Sequence, residues 1–349
     1  MLQMIVKRGV IMINVAINGF GRIGRMVFRA AWNDKKINIV AVNDLTDNKT
    51  LAHLLKYDSV HGVFPEQVSY GDGHLKVGNK KIQVLAEKEP IKLPWKKLKI
   101  DVVVESTGRF TDPYKAAAHL NAGAQKVLIS APCKCEAEKV CPVNTATLVL
   151  GVNDHSYDKK KHHVISNASC TTNCVAPVLK VIQDNVGIKR CFFTTVHAYT
   201  SSQKMVDGPD KNLRRARAAA INIIPTSTGA DVAAVEAIPE LQGKVRGLAF
   251  RVPVADGSVT DFTIETTKEV LPDEVNALFR KAAAGKLKGI IQYSEDELVS
   301  TDIIHNPHSA IIDAKLTNVV NGKFLKIVAW YDNEWGYSSR VVDMMKKIA

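Results

Sequence analysis

The run Ala168-Ser169-Cys170-Thr171-Thr172-Asn173-Cys174 crowds three hydroxyls and an amide around a thiol. Before it, residues 163–167 read as a short buried strand. After it, Val175, Val178, Leu179, Ile182 and Val186 fall on one helical face. Cys170 is therefore expected where a strand gives way to a helix. There the free backbone N–H groups and the positive end of the helix dipole favour an anion and draw a thiol toward the reactive thiolate. Twenty-seven residues on, the segment 191–200 reads as a strand rich in β-branched and aromatic residues, with His197 near its end. A thiol nucleophile needs a neighbouring base, and His197 is the candidate. A buried small hydrophobe and a hydrogen-bonded core histidine would account for each residue alone, but not for the polar crowding around the sulfur.

A second constellation lies near the start of the chain. The apolar segment 13–18 runs directly into Gly19-Phe20-Gly21-Arg22-Ile23-Gly24, then into Met26, Val27, Ala30 and Ala31 at helical spacing. A second strand over 39–43 ends in Asp44, twenty positions beyond Gly24. This is a dinucleotide fingerprint in its strand-helix-strand setting. Gly19 allows the tight turn, Gly21 lets the backbone approach a pyrophosphate, and Gly24 lets helix and strand pack closely. Asn18, Gly19, Gly21, Arg22, Ile23 and Gly24 are the cofactor candidates of this turn. Asp44 would accept hydrogen bonds from ribose hydroxyls and repel an added phosphate, which favours NAD over NADP.

Two further strands, 101–105 and 126–129, end in Ser106-Thr107-Gly108 and Ser130-Ala131-Pro132. Ligands of an open parallel sheet lie beyond such strand ends, so Thr107 and Ser130 join the cofactor candidates; Thr107 reads equally well as an ordinary turn residue. The turns at Gly71-Asp72-Gly73 and Gly78-Asn79 predict small antiparallel hairpins over 68–85. In the second half, Thr226-Ser227-Thr228-Gly229-Ala230 opens a helix whose first N–H groups and hydroxyls could hold an anion. Arg251, a charge inside an apolar strand, calls for a partner. The polar, basic stretch 200–222 reads as a functional loop. Pro272-Asp273-Glu274 opens a helix ending at Gly285, and an amphipathic helix closes the chain.

The 349 residues, 46% of them hydrophobic, favour two domains over one. No apolar run approaches the roughly 18 to 20 residues of a membrane span, and residues 1–11 carry no signal-peptide pattern. Six cysteines in this length do not make a secreted disulfide framework, so a cytoplasmic protein is expected. The net charge of +12 favours anionic partners. The lysines are scattered and no nucleic-acid motif appears, so nucleic acid is not expected as the primary partner.

Ala-Ser-Cys-Thr-Thr-Asn-Cys followed by Ala176-Pro177, with Thr194-Thr195-Val196-His197 behind it, resembles the active-site signature of the phosphorylating glyceraldehyde-3-phosphate dehydrogenases. The similarity runs from about Ile13 to the C-terminus with one inserted segment. It implies an α/β protein with a Rossmann-type doubly wound parallel sheet and a second, α+β catalytic domain with a mostly antiparallel sheet. The expected boundaries are 12–168 for the NAD-binding domain, joined by the returning helix 334–349, and 169–333 for the catalytic domain, with 1–11 as an extension. It implies Cys170 as nucleophile, His197 as base and Asn333 as partner of the nicotinamide carboxamide. Thr200 and Arg251 would hold the phosphate of glyceraldehyde 3-phosphate. Ser169, Thr171, Thr228, Gly229 and Arg215 would hold inorganic phosphate. The product would be 1,3-bisphosphoglycerate, and the assembly a homotetramer; erythrose-4-phosphate dehydrogenase is the related alternative. The segment 133–147 departs from the pattern by its length and by Cys133, Cys135 and Cys141. These thiols could join His155 in a zinc site or form a redox-sensitive pair; a surface insertion with incidental thiols is preferred, and no metal is expected.

Overall fold

The computed structural model describes residues 12–135 and 144–349. The extension 1–11 and Cys141 lie outside the described residues. A nine-stranded sheet forms the first unit, in the order Thr145–Thr147, Val164–Ser166, Lys126–Ile129, Val102–Glu105, Ile13–Asn18, Ile37–Asn43, Lys80–Leu85, His74–Val77, Val68–Gly71. The first seven strands are parallel, and the last two turn back as the hairpins expected over 68–85. The inner parallel strands, such as Val102–Glu105 and Lys126–Ile129, are buried throughout because both sheet faces are covered there. Successive strands are added outward in opposite directions on the two sides of Ile13–Asn18, and such a switch point opens a crevice at the strand ends.

The second unit is an eight-stranded, mostly antiparallel sheet in which Ile188–Ala198 pairs parallel to Val245–Val252 and antiparallel to Ser258–Thr266. Its helices Cys170–Asn185, Ala230–Ala237 and Pro272–Ala284 bury their apolar faces in one continuous core with that sheet. The last helix, Trp335–Ile348, leaves this unit. It places Val341, Val342, Met344, Met345 and Ile348 in the core of the first sheet.

The junction between the two units is built with care. Ser169 caps the helix Cys170–Asn185, its hydroxyl oxygen accepting from the Thr172 N–H at 3.0 Å. The residue before it, Ala168, has φ +53°, a left-handed conformation that costs a side chain about 1 kcal/mol. Two bonds hold that turn: the Ala168 N–H donates to Ser166 Oγ at 3.0 Å, and Tyr337 of the last helix donates to the Ala168 carbonyl at 2.9 Å. Tyr337→Phe leaves that buried carbonyl unpaired and is expected to lower unfolding stability by about 1–3 kcal/mol. Urea denaturation checks this; an unchanged midpoint would show that the turn does not depend on the bond.

Candidate active site

The helix start after the strained turn points Cys170 Sγ at His197 Nε2, 3.4 Å away. His197 is buried near the end of its strand, and its Nδ1 lies 2.7 Å from the carbonyl oxygen of Ala198. That carbonyl can only accept, while the Arg251 guanidinium against the same nitrogen can only donate, so the two contacts call for opposite tautomers of the neutral ring. Arg251 comes from the adjacent strand, in register with His197. Its guanidinium donates to the same carbonyl at 3.1 Å and touches the imidazole. Behind the sulfur, Tyr331 Oη links Thr171 and Thr195 at 3.0 and 2.8 Å.

Helix position alone predicts a thiol drawn down toward the thiolate. The structure adds a stronger opposing effect: burial pushes the Cys170 thiol up, while Arg251 and Thr171 pull it down. Burial, reinforced by the Arg251 cation, lowers His197 to about 3. The resting pair is therefore a neutral thiol beside a neutral imidazole. In the tautomer whose Nε2 lone pair faces the sulfur, His197 is a base able to take the sulfur's proton when the sulfur attacks.

The sulfur opens into a 180 Å³ cavity lined by Ser169, Thr171, His197, Thr228, Gly229 and Arg251. Gly229 precedes the helix Ala230–Ala237 and has no side chain to cap it; the Ala230 N–H donates to Thr228 Oγ1 at 3.2 Å and the Val232 N–H to Asp231 Oδ1 at 3.0 Å, which leaves the Asp231 N–H and the helix dipole to face an anion. Cationic Arg251 stands on the other side. Together they suit a phosphate.

A second cavity, of 290 Å³, lies at the switch point of the first sheet. Asn18, Gly19, Gly21, Asp44 and Thr107 line it. A Cβ on Gly19 (φ +92°) would stand 2.6 Å from the Thr107 backbone nitrogen, and one on Gly24 would stand 2.1 Å from the Gly19 carbonyl oxygen. Nothing lies within 4 Å of the corresponding position on Gly21, where the helix Arg22–Ala31 begins without a side-chain cap. That open space beside free N–H groups fits a pyrophosphate. Asp44 accepts from the Phe20 and Thr46 N–H groups at 2.8 and 3.0 Å, which aims its carboxylate along the crevice.

The description "Glyceraldehyde 3-phosphate dehydrogenase, NAD binding domain" matches residues 13–113, and the corresponding C-terminal domain matches residues 169–333. Glyceraldehyde-3-phosphate dehydrogenase from Geobacillus stearothermophilus is 56% identical over 337 residues, which is 97% of this chain and 98% of the relative. The Bacillus subtilis enzyme 1 is 54% identical over 97% of this chain and 98% of its own length. The Streptomyces coelicolor enzyme is 54% identical over 95% and 97%. The chain belongs to the glyceraldehyde-3-phosphate dehydrogenase family.

Within this family member, the structure does not bring every expected residue to the two cavities. The Arg22 guanidinium is turned away from the crevice into ion pairs with Asp58 and Glu334, leaving its backbone N–H at the helix start to face a cofactor. Ile23 follows in that helix. Ser130 donates to the Glu105 carbonyl at 3.1 Å and does not line the crevice. Asn333 is buried between the units, where Ser258 donates to its Oδ1 at 2.6 Å. Thr200 bonds to Gln203, and Arg215 donates to Thr226 Oγ1 at 2.9 Å; neither lines the phosphate cavity. No helix among the described residues is long and apolar enough to cross a membrane.

Sequence reading missed a buried cluster directly behind Asn333. His61 Nε2 is 2.9 Å from Glu334 and 3.6 Å from Asp256, and its ring stacks on His305 at 4.8 Å. Among the described residues, His61, Asp256 and Glu334 are the group whose ligand atoms could converge on a metal; Cys133 and His155 are not part of it. Arg22 already engages both oxygens of Glu334. The sequence holds no signal for the cluster because its members are spread over 273 positions, from His61 to Glu334, and meet only where the units pack.

Burial, with Asp332 and Glu334 close by, pushes Asp256 up to about 9. A carboxyl raised in the folded state stabilises fully below its unfolded pKa near 4, and this contribution is lost as pH rises toward 9. Asp256→Asn removes that loss. The melting temperature of this variant relative to the parent protein is expected to climb steadily from pH 5 to 9; a difference that does not change with pH would contradict the assignment.

Proposed function

We propose that this chain oxidises glyceraldehyde 3-phosphate to 1,3-bisphosphoglycerate, with NAD as hydride acceptor and inorganic phosphate as the second substrate. The observation that carries this reading is Cys170 Sγ at 3.4 Å from Nε2 of a neutral His197, beside a cavity suited to phosphate. The fit of the switch-point crevice to a dinucleotide supports NAD. Asn18, Gly19, Gly21, Arg22, Ile23, Gly24, Asp44, Thr107 and Ser130 are its proposed contacts, with Asn333 at the nicotinamide end. When bound, NAD supplies the acceptor for two electrons and a proton removed together from carbon.

The protein's own groups carry the remaining steps. Sγ adds to the aldehyde carbon as its proton passes to His197 Nε2, and the imidazolium returns that proton to the new alkoxide, giving a hemithioacetal. His197 removes the same proton as carbon is oxidised, and Cys170 is left as a thioester. Inorganic phosphate attacks the thioester carbonyl, the carbon–sulfur bond breaks, and Cys170 recovers its proton. Thr200 and Arg251 are proposed to hold the phosphate of the aldehyde. Ser169, Thr171, Thr228, Gly229 and Arg215 are proposed to hold inorganic phosphate.

We also infer a cytoplasmic homotetramer. Six cysteines in 349 residues are too few for a secreted disulfide framework; Cys133, Cys170, Cys174 and Cys191 are free thiols, while Cys135 is disulfide-bonded. Met205, Val206, Leu213, Ile221 and Ile223 are 67–83% exposed in the loop 200–223, and a partner subunit would cover them.

NADH formation from glyceraldehyde 3-phosphate should require added phosphate for steady turnover and exceed the rate with erythrose 4-phosphate; the reverse preference would assign the chain to the related enzyme. Cys170→Ser should abolish turnover while NAD still binds, and retained turnover would refute the nucleophile. His197→Asn should slow turnover by about two to four decades, and a smaller effect would remove it as base.

A further inference from the structure

Under the dinucleotide crevice lies a network of polar side chains centred on one buried carboxylate to which the reaction steps assign no role. Its centre is Glu105, 2% exposed at the end of an otherwise apolar strand. Its Oε1 accepts from both the backbone N–H, at 2.8 Å, and the hydroxyl of Thr107. Its Oε2 accepts from Asn18 Nδ2 at 2.5 Å and faces His119 Nε2 at 3.1 Å.

The proton positions follow without ambiguity. Trp95 Nε1–H can only donate, and it lies 2.9 Å from His119 Nδ1, so Nδ1 is an acceptor. The neutral ring therefore carries its proton on Nε2 and donates it to Glu105. His119 Nε2 and Asn18 Nδ2, 3.3 Å apart, are two donors converging on one oxygen. Asn18 is thereby fixed with Oδ1 away from Glu105, where it accepts from Asn43 Nδ2 at 2.6 Å. Asn43 is fixed in turn by the Glu87 backbone, donating to its carbonyl and accepting from its N–H, both at 2.9 Å. Thr107 gives its own proton to Glu105 and accepts one from the Arg109 N–H at 3.0 Å.

All these directions radiate from one acceptor. We propose that Glu105 is a positioning residue for the dinucleotide: by accepting every available proton it makes Thr107 Oγ1 a pure acceptor toward the crevice and locks the orientation of the Asn18 and Asn43 amides that line it. The crevice floor then selects a ligand group that donates there, such as a ribose hydroxyl or an amino group. A neutral amide in place of Glu105 would bring its own donors. One of the converging groups would lose its acceptor, and either Thr107 or Asn18 would have to turn over.

This proposal rests on the NAD reading of the crevice, and the two fail differently. If the parent protein does not bind NAD in titration calorimetry, the NAD reading falls. If the parent protein binds and Glu105→Gln binds equally well, only the positioning role falls. The expected result is a loss of NAD affinity of roughly 10- to 100-fold in Glu105→Gln, the worth of a hydrogen bond to a charged group. KM for NAD should rise by a similar factor, while kcat at saturating NAD and the rate of Cys170 alkylation stay within about twofold of the parent protein. A fall in kcat and alkylation rate with KM unchanged would instead indicate general structural damage and overturn the proposal. Should Glu105→Gln not fold, Thr107→Ser and Thr107→Val provide the test. The serine, which keeps the hydroxyl, should bind NAD like the parent protein, and the valine should lose roughly tenfold; equal binding by both would refute the acceptor role.

Discussion

A sulfur in contact with two hydrophobic cores is the constraint around which this molecule is arranged. Cys170 packs against the core of the second sheet and also against that of the first. It thus lies on the seam where a dinucleotide held by one unit can meet a substrate held by the other. Burial on that seam has an electrostatic consequence. A charge is costly there, so the thiol keeps its proton and the imidazole stays neutral until a reacting carbonyl gives the charge somewhere to go. Reactivity at this site comes from geometry and a waiting base more than from a standing thiolate.

The seam must be held to within a few tenths of an ångström, and several buried polar connections do so. Tyr337 ties the last helix to the turn before Cys170. Arg22, at the start of the dinucleotide-binding helix, is paired with Glu334, next to Asn333. Ser258 joins Asn333 to the His197 strand by accepting from the Ala198 N–H at 3.1 Å while donating to Asn333. The first two lie in the first unit with its returning segment and the third in the second unit, and the peptide bond between Asn333 and Glu334 joins them, so the glycine turn, Asn333 and His197 share one framework. The return of the C-terminal helix to the first sheet makes this possible: a chain that ended in the second unit would lack both Glu334 and Tyr337 at the junction.

Much of this was legible in the sequence, for identifiable reasons. The glycine turn is readable because its constraints are local: Gly19 and Gly24 avoid atoms of their own or a neighbouring strand, and Asp44 follows at a fixed remove. Cys170 and the helix after it are readable because a cap, a thiol and an apolar face are contiguous. The ionisation state of Cys170 was not readable, since it depends on burial and on Arg251, both set by long-range packing. The guanidinium of Arg22 and the side chains of Thr200 and Arg215 point elsewhere for the same reason: their partners Asp58, Glu334, Gln203 and Thr226 are chosen by the folded surroundings. Glu105 did leave a trace, as the charge closing its apolar strand, but its partner His119, and Trp95 behind that ring, could not be inferred from spacing.

The most direct test of the central claim is to mix the protein with glyceraldehyde 3-phosphate and NAD, omit phosphate, quench in acid and map the adduct by peptide mass spectrometry. The account predicts a single acyl group on Cys170, formed with one equivalent of NADH per site and released when phosphate is added. An acyl group on Cys133, Cys174 or Cys191, or NADH formed with no acylated cysteine, would contradict it.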